Sequence, residues 1–173
     1  MNIFYLSENP NWSAQYHNDK HCRKMITETA QVLSNCYTLE QLEKAPKTQK
    51  GTYRKHSYPH HPSCKWVQRS YQNFEYTVVL GLSLLKEYKF RGNKPHFCEN
   101  ILNWYNDNKP EFDEYYFTKP ALAMPEQFKS DNSVESYRNY YIHDKVFMNN
   151  GKRMDDWSIR GEPYWWWYKY PKG

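Results

Sequence analysis

The chain lacks a long apolar run, a cysteine-pair motif and the short motifs that define many nucleophilic and nucleotide-binding enzymes. Its most apolar stretch, residues 78–85, is far shorter than the about 20 residues that span a bilayer. The four cysteines form no CxxC pair, which favours free buried thiols over a disulfide framework. No Gly-x-Ser-x-Gly, dinucleotide fingerprint, Gly-rich phosphate loop or catalytic Cys–His signature occurs. We therefore exclude a membrane-spanning protein and the enzyme classes that those motifs define.

Acidic residues are absent from residues 44–74, hereafter the basic segment. It holds seven of the 24 Lys and Arg residues, so its formal charge is +7. The remaining 17 basic and 19 acidic residues leave −2 for the rest of the chain. A block of one sign suits a polyanion, so we predict nucleic acid, DNA in the first place, as the partner. The alternative is a solvated loop that is merely basic.

The composition indicates a folded chain despite a mean hydropathy of −1.08. Aromatic residues make up 18% of it, whereas disordered chains are poor in aromatics. With 173 residues, we predict a single domain over residues 1–173, mostly α-helical and compact, with long loops, a short N-terminal extended segment and an aromatic C-terminal tail. The first residues lack a charged and apolar signal pattern, which predicts a cytoplasmic protein without a membrane partner. The sequence sets no oligomeric state.

Capping residues and helical spacing predict the individual elements. Asn9 with Pro10, and Asn18 or Asp19, mark the starts of the first two helices. The predicted helices cover residues 10–16, 19–37, 63–91, 95–105 and 134–148, with a short turn at 39–42 and a loop at 45–62. The polar residues between the apolar positions of the longest helix are expected to face a groove or solvent, and they are Arg69, Ser70, Asn73 and Thr77. Phe97, Ile101 and Leu102 are expected to point inward.

Four chemically able side chains, His21, Lys24, Glu28 and Gln31, follow one stripe of the second predicted helix. His21 and Glu28 lie at the edge of its buried face and Lys24 lies further out. A half-buried His and Glu beside a Lys are expected to have shifted pKa values, which suits proton transfer. We therefore predict His21, Lys24 and Glu28 as catalytic residues. The alternative is a boundary His–Glu contact on an ordinary amphipathic helix.

Residues predicted to contact nucleic acid are cationic or lie beside cations. A helix entry such as His61-Pro62-Ser63 can hold a phosphate, and an aromatic platform beside Arg138 can stack a base. The predicted set is Lys20, Arg54, Lys55, His61, Arg69, Asn73, Arg138 and Tyr141. For Tyr140 and Tyr141 a place in the core is the alternative.

A zinc site is suggested by the histidines of residues 56–61 and by Cys64, since neutral His and thiolate Cys are good zinc ligands. No second ligand pair with zinc-finger spacing follows, and the adjacent His60 and His61 converge poorly on one ion. We therefore predict no metal and no cofactor.

Five groups of residues together resemble a family of small proteins of tailed phages. They are Met1–Phe4, Asp19–Gln31, His61–Arg69, Ala123–Pro125 and Tyr137–Tyr141. A looser similarity is to the phage pyrimidine-dimer DNA glycosylases of the endonuclease V type. Those are small, basic, helical enzymes with an N-terminal amine nucleophile, a catalytic Glu flanked by Arg on an early helix, and a Trp-Tyr-Lys-Tyr tail.

The second resemblance implies that Glu28, with Arg23 or Lys24, takes the helix role and that residues 167–170 form the tail. The chain departs from the family at Asn2, which is larger than the residues after which an initiator methionine is removed efficiently. Lys20 and Lys24 are therefore alternative nucleophiles.

The combined expectation is an enzyme that acts on a DNA base, most concretely a glycosylase and lyase for modified or damaged pyrimidines. Glu28 would be the general acid/base, Lys24 the nucleophile or electrostatic clamp, and His21 the proton shuttle. Two alternatives remain at this point. One is a non-catalytic nucleic-acid-binding or host-takeover protein, and the other is a transferase that modifies DNA bases or nucleotides.

Overall fold

The computed structural model of the protein describes residues 2–147 and 151–171. Within these residues the chain forms seven α-helices and no β-strand, apart from one isolated bridge. The helices are α1 (Pro10–Tyr16), α2 (Asp19–Leu33), α3 (Leu39–Glu43), α4 (Pro62–Arg69), α5 (Tyr71–Phe90), α6 (Glu99–Asp107) and α7 (Ser133–Tyr140). Long irregular segments join them. The predicted mostly α-helical fold with long loops is confirmed.

Capping residues set the starts of the first two helices as predicted. The Asn9 side chain accepts hydrogen bonds from the backbone two and three residues later, and Pro10 occupies the first position of α1. The Asn18 side chain accepts a hydrogen bond from the backbone N–H of His21 and so caps α2. α2 ends at Leu33, earlier than predicted, because a 3₁₀ turn over the next three residues replaces its last turn.

Helix α5 is the centre of the core, because α1, α2, α4 and α6 all pack against it. Gly81 of α5 lies where three helices meet. A Cβ atom at this position would lie 2.8 Å from Leu102 Cδ2 of α6 and 3.0 Å from Thr29 Cγ2 of α2. The absent side chain therefore lets α2 approach α5 closely, and this packing holds the stretch of α2 with Lys24 and Glu28 on the rigid core.

The longest predicted helix is interrupted at Ser70, whose extended backbone (φ −155°, ψ 157°) separates α4 from α5. Its hydroxyl accepts a hydrogen bond from the backbone N–H of Asn73 and caps α5. The expectation that Ser70, Asn73 and Thr77 face a groove or solvent is wrong, because all three are fully buried. The Asn73 side chain donates to the Trp66 carbonyl at 2.8 Å and bonds Thr118 at both of its polar ends. Buried amides need such partners.

Aromatic residues at two places in the chain lie partly at the surface. Phe97 precedes α6 and is 48% exposed, so the expectation that it points inward is wrong. Three consecutive residues of a regular helix or strand cannot all face the core. The three consecutive tryptophans near the C-terminus follow this rule. Trp165 and Trp166 are buried whereas Trp167 is 40% exposed.

The N-terminal segment, residues 2–6, is extended and buried, as predicted for a short extended start. The last predicted helix is shorter than expected: α7 ends at Tyr140, and a π-helical turn (Tyr141–Lys145) follows directly. Its predicted end at Met148 lies outside the described residues. Among the described residues, no helix combines the length and apolar character needed to cross a membrane.

Candidate active site

The Glu28 carboxylate, in the middle of α2, is the centre of the site. Only 11% of its side chain is exposed. Its Oε2 accepts a hydrogen bond from the backbone nitrogen of Asn2 at 2.8 Å. Its Oε1 lies 3.2 Å from Lys24 Nζ, one turn earlier on the same helix. A backbone N–H and a lysine ammonium therefore contact this carboxylate, whose charge stabilises the ammonium. A carboxylate in this position can also accept a proton from an amine.

The side chain of Asn2 fixes the backbone nitrogen that contacts Glu28. Its Nδ2 donates to the Ala123 carbonyl at 2.9 Å. Its Oδ1 accepts a hydrogen bond from the backbone N–H of Ile3 at 2.8 Å and lies 3.2 Å from the Tyr137 hydroxyl. These contacts come from the neighbouring residue and from two distant parts of the chain, and they hold residue 2 against α2.

The start of α4 closes the same site. His61 caps this helix, since its Nδ1 accepts a hydrogen bond from the backbone N–H of Ser63 at 3.1 Å. The Ser63 hydroxyl lies 3.5 Å from Asn2 Oδ1. Burial lowers the pKa of His61, and the nearby Glu28 charge opposes that shift. The His-Pro-Ser motif is thus a capped helix entry, as the sequence indicates, and it borders Asn2 and Glu28.

His21 lies apart from Lys24 and Glu28 in its contacts. Its Nδ1 lies 2.9 Å from the hydroxyl of Tyr141, and its ring packs 5.3 Å from that of Phe4. Burial lowers its pKa to about 3, and neighbouring positive charges act in the same direction. It lies seven positions before Glu28, which is about 10.5 Å along the helix axis. The expected pKa shift is thus present for His21, but it keeps this side chain neutral. The described contacts of His21, with Tyr141 and Phe4, do not support a proton-shuttle role.

Acid is expected to destabilise the protein through His21 and His17. Burial lowers the pKa of His17 to about 4 as well. Between these values and the unfolded pKa of about 6.5, the unfolded chain binds more protons, so the free energy of unfolding falls as the pH falls. Each histidine contributes a slope of up to about 1.4 kcal/mol per pH unit.

Urea unfolding of the wild type and of His21→Gln between pH 7 and pH 4.5 measures this slope. We expect a visibly shallower slope in the variant. The matched control is His60→Gln at an exposed position, which should keep the wild-type slope. Equal slopes in all three proteins would refute the assignment.

The cationic residues predicted to contact DNA are mostly accessible. Lys20, Lys55 and Arg69 are exposed, and Arg54 and His61 are half-buried. Arg54 and Lys55 line a groove of about 470 Å³ between α2 and the basic segment, together with Gln31 of α2. Gln31 is one turn beyond Glu28, so this groove lies beside the candidate site. Arg69 lines a separate depression.

Arg69 shares that depression with three acidic residues, Glu111, Asp113 and Glu114. It lies about 9 Å along α4 from Ser63. The structure thus does not bring Arg69 to Glu28, and its carboxylate neighbours disfavour a DNA phosphate at this position.

Three other predicted DNA contacts have structural partners instead. Asn73 and Tyr141 are buried and bonded within the protein, so neither side chain is accessible to DNA, and we correct both assignments. Arg138 donates from Nε to the Leu6 carbonyl at 2.9 Å and from a terminal nitrogen to the Tyr164 hydroxyl at 3.1 Å. Its guanidinium packs 5.4 to 5.6 Å from the centres of three aromatic rings, which belong to Tyr16, Tyr164 and Trp165. It therefore joins the tail to the N-terminal segment.

The groups considered for zinc are engaged separately. His56 Nε2 lies 2.8 Å from the Tyr37 carbonyl, and Cys64 is buried beside Asn35. Among residues 2–147 and 151–171, no group of three His, Cys, Asp or Glu side chains has the arrangement of a metal site.

The residues missing from the predicted site are Asn2, Ser63, Ala123 and Tyr137. All four belong to the short motifs on which the phage-protein resemblance depends, and the structure shows that these motifs meet around residue 2. The sequence thus contained a sign of these site residues, namely short motifs that lie on different elements and are not accounted for by the spacing within any one helix.

Comparison with known proteins supports a DNA-repair activity. The family model of the pyrimidine dimer DNA glycosylases matches residues 1–107, which include Asn2, Lys24, Glu28 and the basic segment. Searches of curated proteins and of solved structures found no match. The family match covers more than half of the 173 residues and contains the carboxylate at the centre of the site. The chain belongs to the pyrimidine dimer DNA glycosylase family.

Proposed function

We propose that this protein is a DNA glycosylase and lyase for damaged pyrimidines, with Glu28 as its general acid/base. The observation that supports the proposal is the placement of two nitrogens on one buried carboxylate, at 2.8 Å for Asn2 N and 3.2 Å for Lys24 Nζ. A nitrogen nucleophile beside a proton acceptor is the pair that imine chemistry needs.

The chemistry begins when an amine attacks C1′ of the damaged nucleotide. The C1′–N1 bond breaks, and its electron pair leaves with the base, which takes up a proton. The attached amine then loses a proton to Glu28 while the C1′–O4′ bond opens and O4′ is protonated, which gives an imine. Loss of a proton from C2′ then breaks the C3′–O bond and releases the 3′ phosphate.

Of the two nitrogens, that of residue 2 is the better supported nucleophile. It lies closer to the carboxylate, and the Asn2 side chain fixes it, whereas the Lys24 side chain is 58% exposed. The role requires a free amine at residue 2, and therefore removal of the initiator methionine. In this assignment Lys24 stabilises the Glu28 charge.

Borohydride trapping on dimer-containing DNA tests the assignment. After reduction and proteolysis, we expect the DNA adduct on the peptide that begins at residue 2, and mass spectrometry identifies that peptide directly. An adduct on Lys24 or Lys20 would transfer the nucleophile role to that lysine. A protein that cleaves no strand and traps no adduct would contradict the lyase step.

DNA affinity is expected to depend on the exposed cations beside the site. Each phosphate contact contributes about 0.9 to the slope of log K against log salt concentration. Charge reversal in the double variant Lys20→Glu, Lys55→Glu should lower that slope by about 2 and weaken binding at least tenfold at low salt. Fluorescence anisotropy with labelled duplex across a salt series measures both quantities.

The matched control is Lys89→Glu, an equally exposed charge in the last turn of α5. It should leave the slope within experimental error of the wild type. If the double variant and the control bind alike, the face that carries Lys20 and Lys55 is not the DNA-binding face.

A further inference from the structure

Two of the side-chain contacts that hold residue 2 come from outside the matched family segment. Residues 1–107 match the family model, whereas Ala121, Ala123 and Tyr137 lie beyond it. We name these three residues, with Asn2, the Asn2 clamp. The site thus combines family residues on α2 with a support that the remainder of this chain provides.

The clamp fixes Asn2 at both polar ends of its side chain. Nδ2 donates to the Ala123 carbonyl at 2.9 Å, and Oδ1 lies 3.2 Å from the Tyr137 hydroxyl. With the contact between the backbone nitrogen and Glu28, residue 2 is held at three points. Rotation of the residue therefore requires at least two of these contacts to break.

Tyr137 is itself held in place. Its side chain is almost fully buried on α7, and its hydroxyl lies 2.5 Å from the Ala121 carbonyl. The same hydroxyl accepts a hydrogen bond from the backbone N–H of Ala123 at 3.4 Å. The hydroxyl thus connects α7 to the segment that contacts Asn2 Nδ2, so the contacts of the Asn2 side chain with Ala123 and with Tyr137 both depend on it.

We propose that Asn2, through its side chain, and Tyr137 are positioning residues that aim the amine of residue 2 at C1′ of the damaged nucleotide. This inference rests on the proposed function, in which that amine is the nucleophile. Its physical basis is the strong dependence of reaction rates on geometry, since a misplacement of about 1 Å can cost about 100-fold in rate. This role explains why position 2 holds an asparagine in this chain, because a smaller residue would lack the amide that contacts Ala123 and Tyr137.

Removal of the Tyr137 hydroxyl tests the proposal. For Tyr137→Phe we expect the single-turnover rate of imine trapping at saturating DNA to fall about 10- to 100-fold. The dissociation constant for dimer-containing duplex should stay within about twofold of the wild type, because no clamp residue lies on the predicted DNA-binding face. The pH of half-maximal rate should also stay unchanged, because the variant leaves the reacting groups in place.

Two comparisons separate positioning from folding. Tyr37→Phe removes another buried tyrosine hydroxyl, which bonds the Tyr105 carbonyl away from the site, and it should trap at the wild-type rate. Asn2→Ala removes the clamp from the side of residue 2 and leaves Tyr137 unchanged. The small alanine also favours removal of the initiator methionine. This variant should trap more slowly per molecule with a free residue-2 amine, which mass spectrometry counts.

The outcomes distinguish this inference from the proposed function. If the wild type forms its adduct at residue 2 but Tyr137→Phe and Asn2→Ala trap at the wild-type rate, the clamp has no positioning role. An adduct on a lysine in the wild type would instead overturn the proposed nucleophile and the clamp role with it. A loss of rate in Tyr137→Phe matched by an equal loss in Tyr37→Phe would show a general effect of core hydroxyls and would also overturn it.

Discussion

Glu28→Gln is expected to lower the single-turnover rate of base release and strand cleavage by about 10²- to 10⁴-fold, the range that general acid/base groups contribute. The amide has nearly the same size, and its oxygen can still accept the hydrogen bond from Asn2 N. It cannot accept a proton, so the amine is no longer activated. Gel analysis of an end-labelled oligonucleotide that contains one dimer measures the rate.

Binding and stability should change little in the same variant. The variant loses the ion pair of Glu28 with the exposed Lys24. This pair is of the helical i,i+4 type, which contributes about 0.3 to 0.5 kcal/mol to the free energy of unfolding. Glu43→Gln, at the exposed end of α3, is the control and should cleave like the wild type. A Glu28→Gln protein that cleaves within threefold of the wild type would remove Glu28 from the mechanism.

Glu87→Gln is expected to lower the free energy of unfolding by about 3 to 5 kcal/mol, the cost of breaking a buried ion pair from one side. Glu87 lies on α5 and is 4% exposed. Its Oε1 accepts from Arg91 Nε and Arg160 Nε, both at 2.9 Å, and its Oε2 accepts from Arg160 at 2.7 Å. The amide would leave the almost fully buried Arg91 guanidinium with the Asp19 carboxylate as its one negatively charged partner among the described residues, beside the Gln15 carbonyl.

Calorimetry of this variant should show a fall in Tm of about 6 to 20 °C, since about 1 kcal/mol corresponds to 2–4 °C in a chain of this size. The control is Glu75→Gln, whose ion pair with Lys109 is exposed on both sides and contributes at most about 1 kcal/mol. Equal Tm values for the two variants would show that the buried network adds nothing. Because Arg160 belongs to the C-terminal segment of residues 157–170, limited proteolysis should also release this segment more readily in Glu87→Gln.

Helix starts could be predicted because their causes are local. Asn9, Pro10 and Asn18 act on backbone groups within three residues, so the sequence alone identifies them. The break at Ser70 could not be predicted, because apolar residues continue at helical spacing on both sides of it. The break is accompanied by the buried contact of Asn73 with Thr118, 45 positions away, which no local pattern encodes.

In the candidate site, too, the local contact could be predicted and the long-range contact could not. Lys24 and Glu28 lie one turn apart on one helix, so their contact follows from the helical repeat. The contact of Glu28 with Asn2 depends on how the N-terminal segment packs against α2, which no local pattern encodes. Helical spacing also placed His21 beside Glu28, but the burial that keeps His21 neutral is a property of the whole core.

The Asn2 clamp has a consequence for the order of events during protein synthesis. Ala123 and Tyr137, which hold Asn2, are translated 121 and 135 residues after it. The start of the nascent chain therefore leaves the ribosome well before its partners exist, and at 5–20 residues per second this interval lasts about 6 to 27 seconds. During that time residue 2 is accessible to the aminopeptidase that the proposed nucleophile role requires, and the clamp forms once α7 has emerged. Under the proposed function, the order of translation therefore leaves an interval for removal of the preceding methionine before residue 2 is buried.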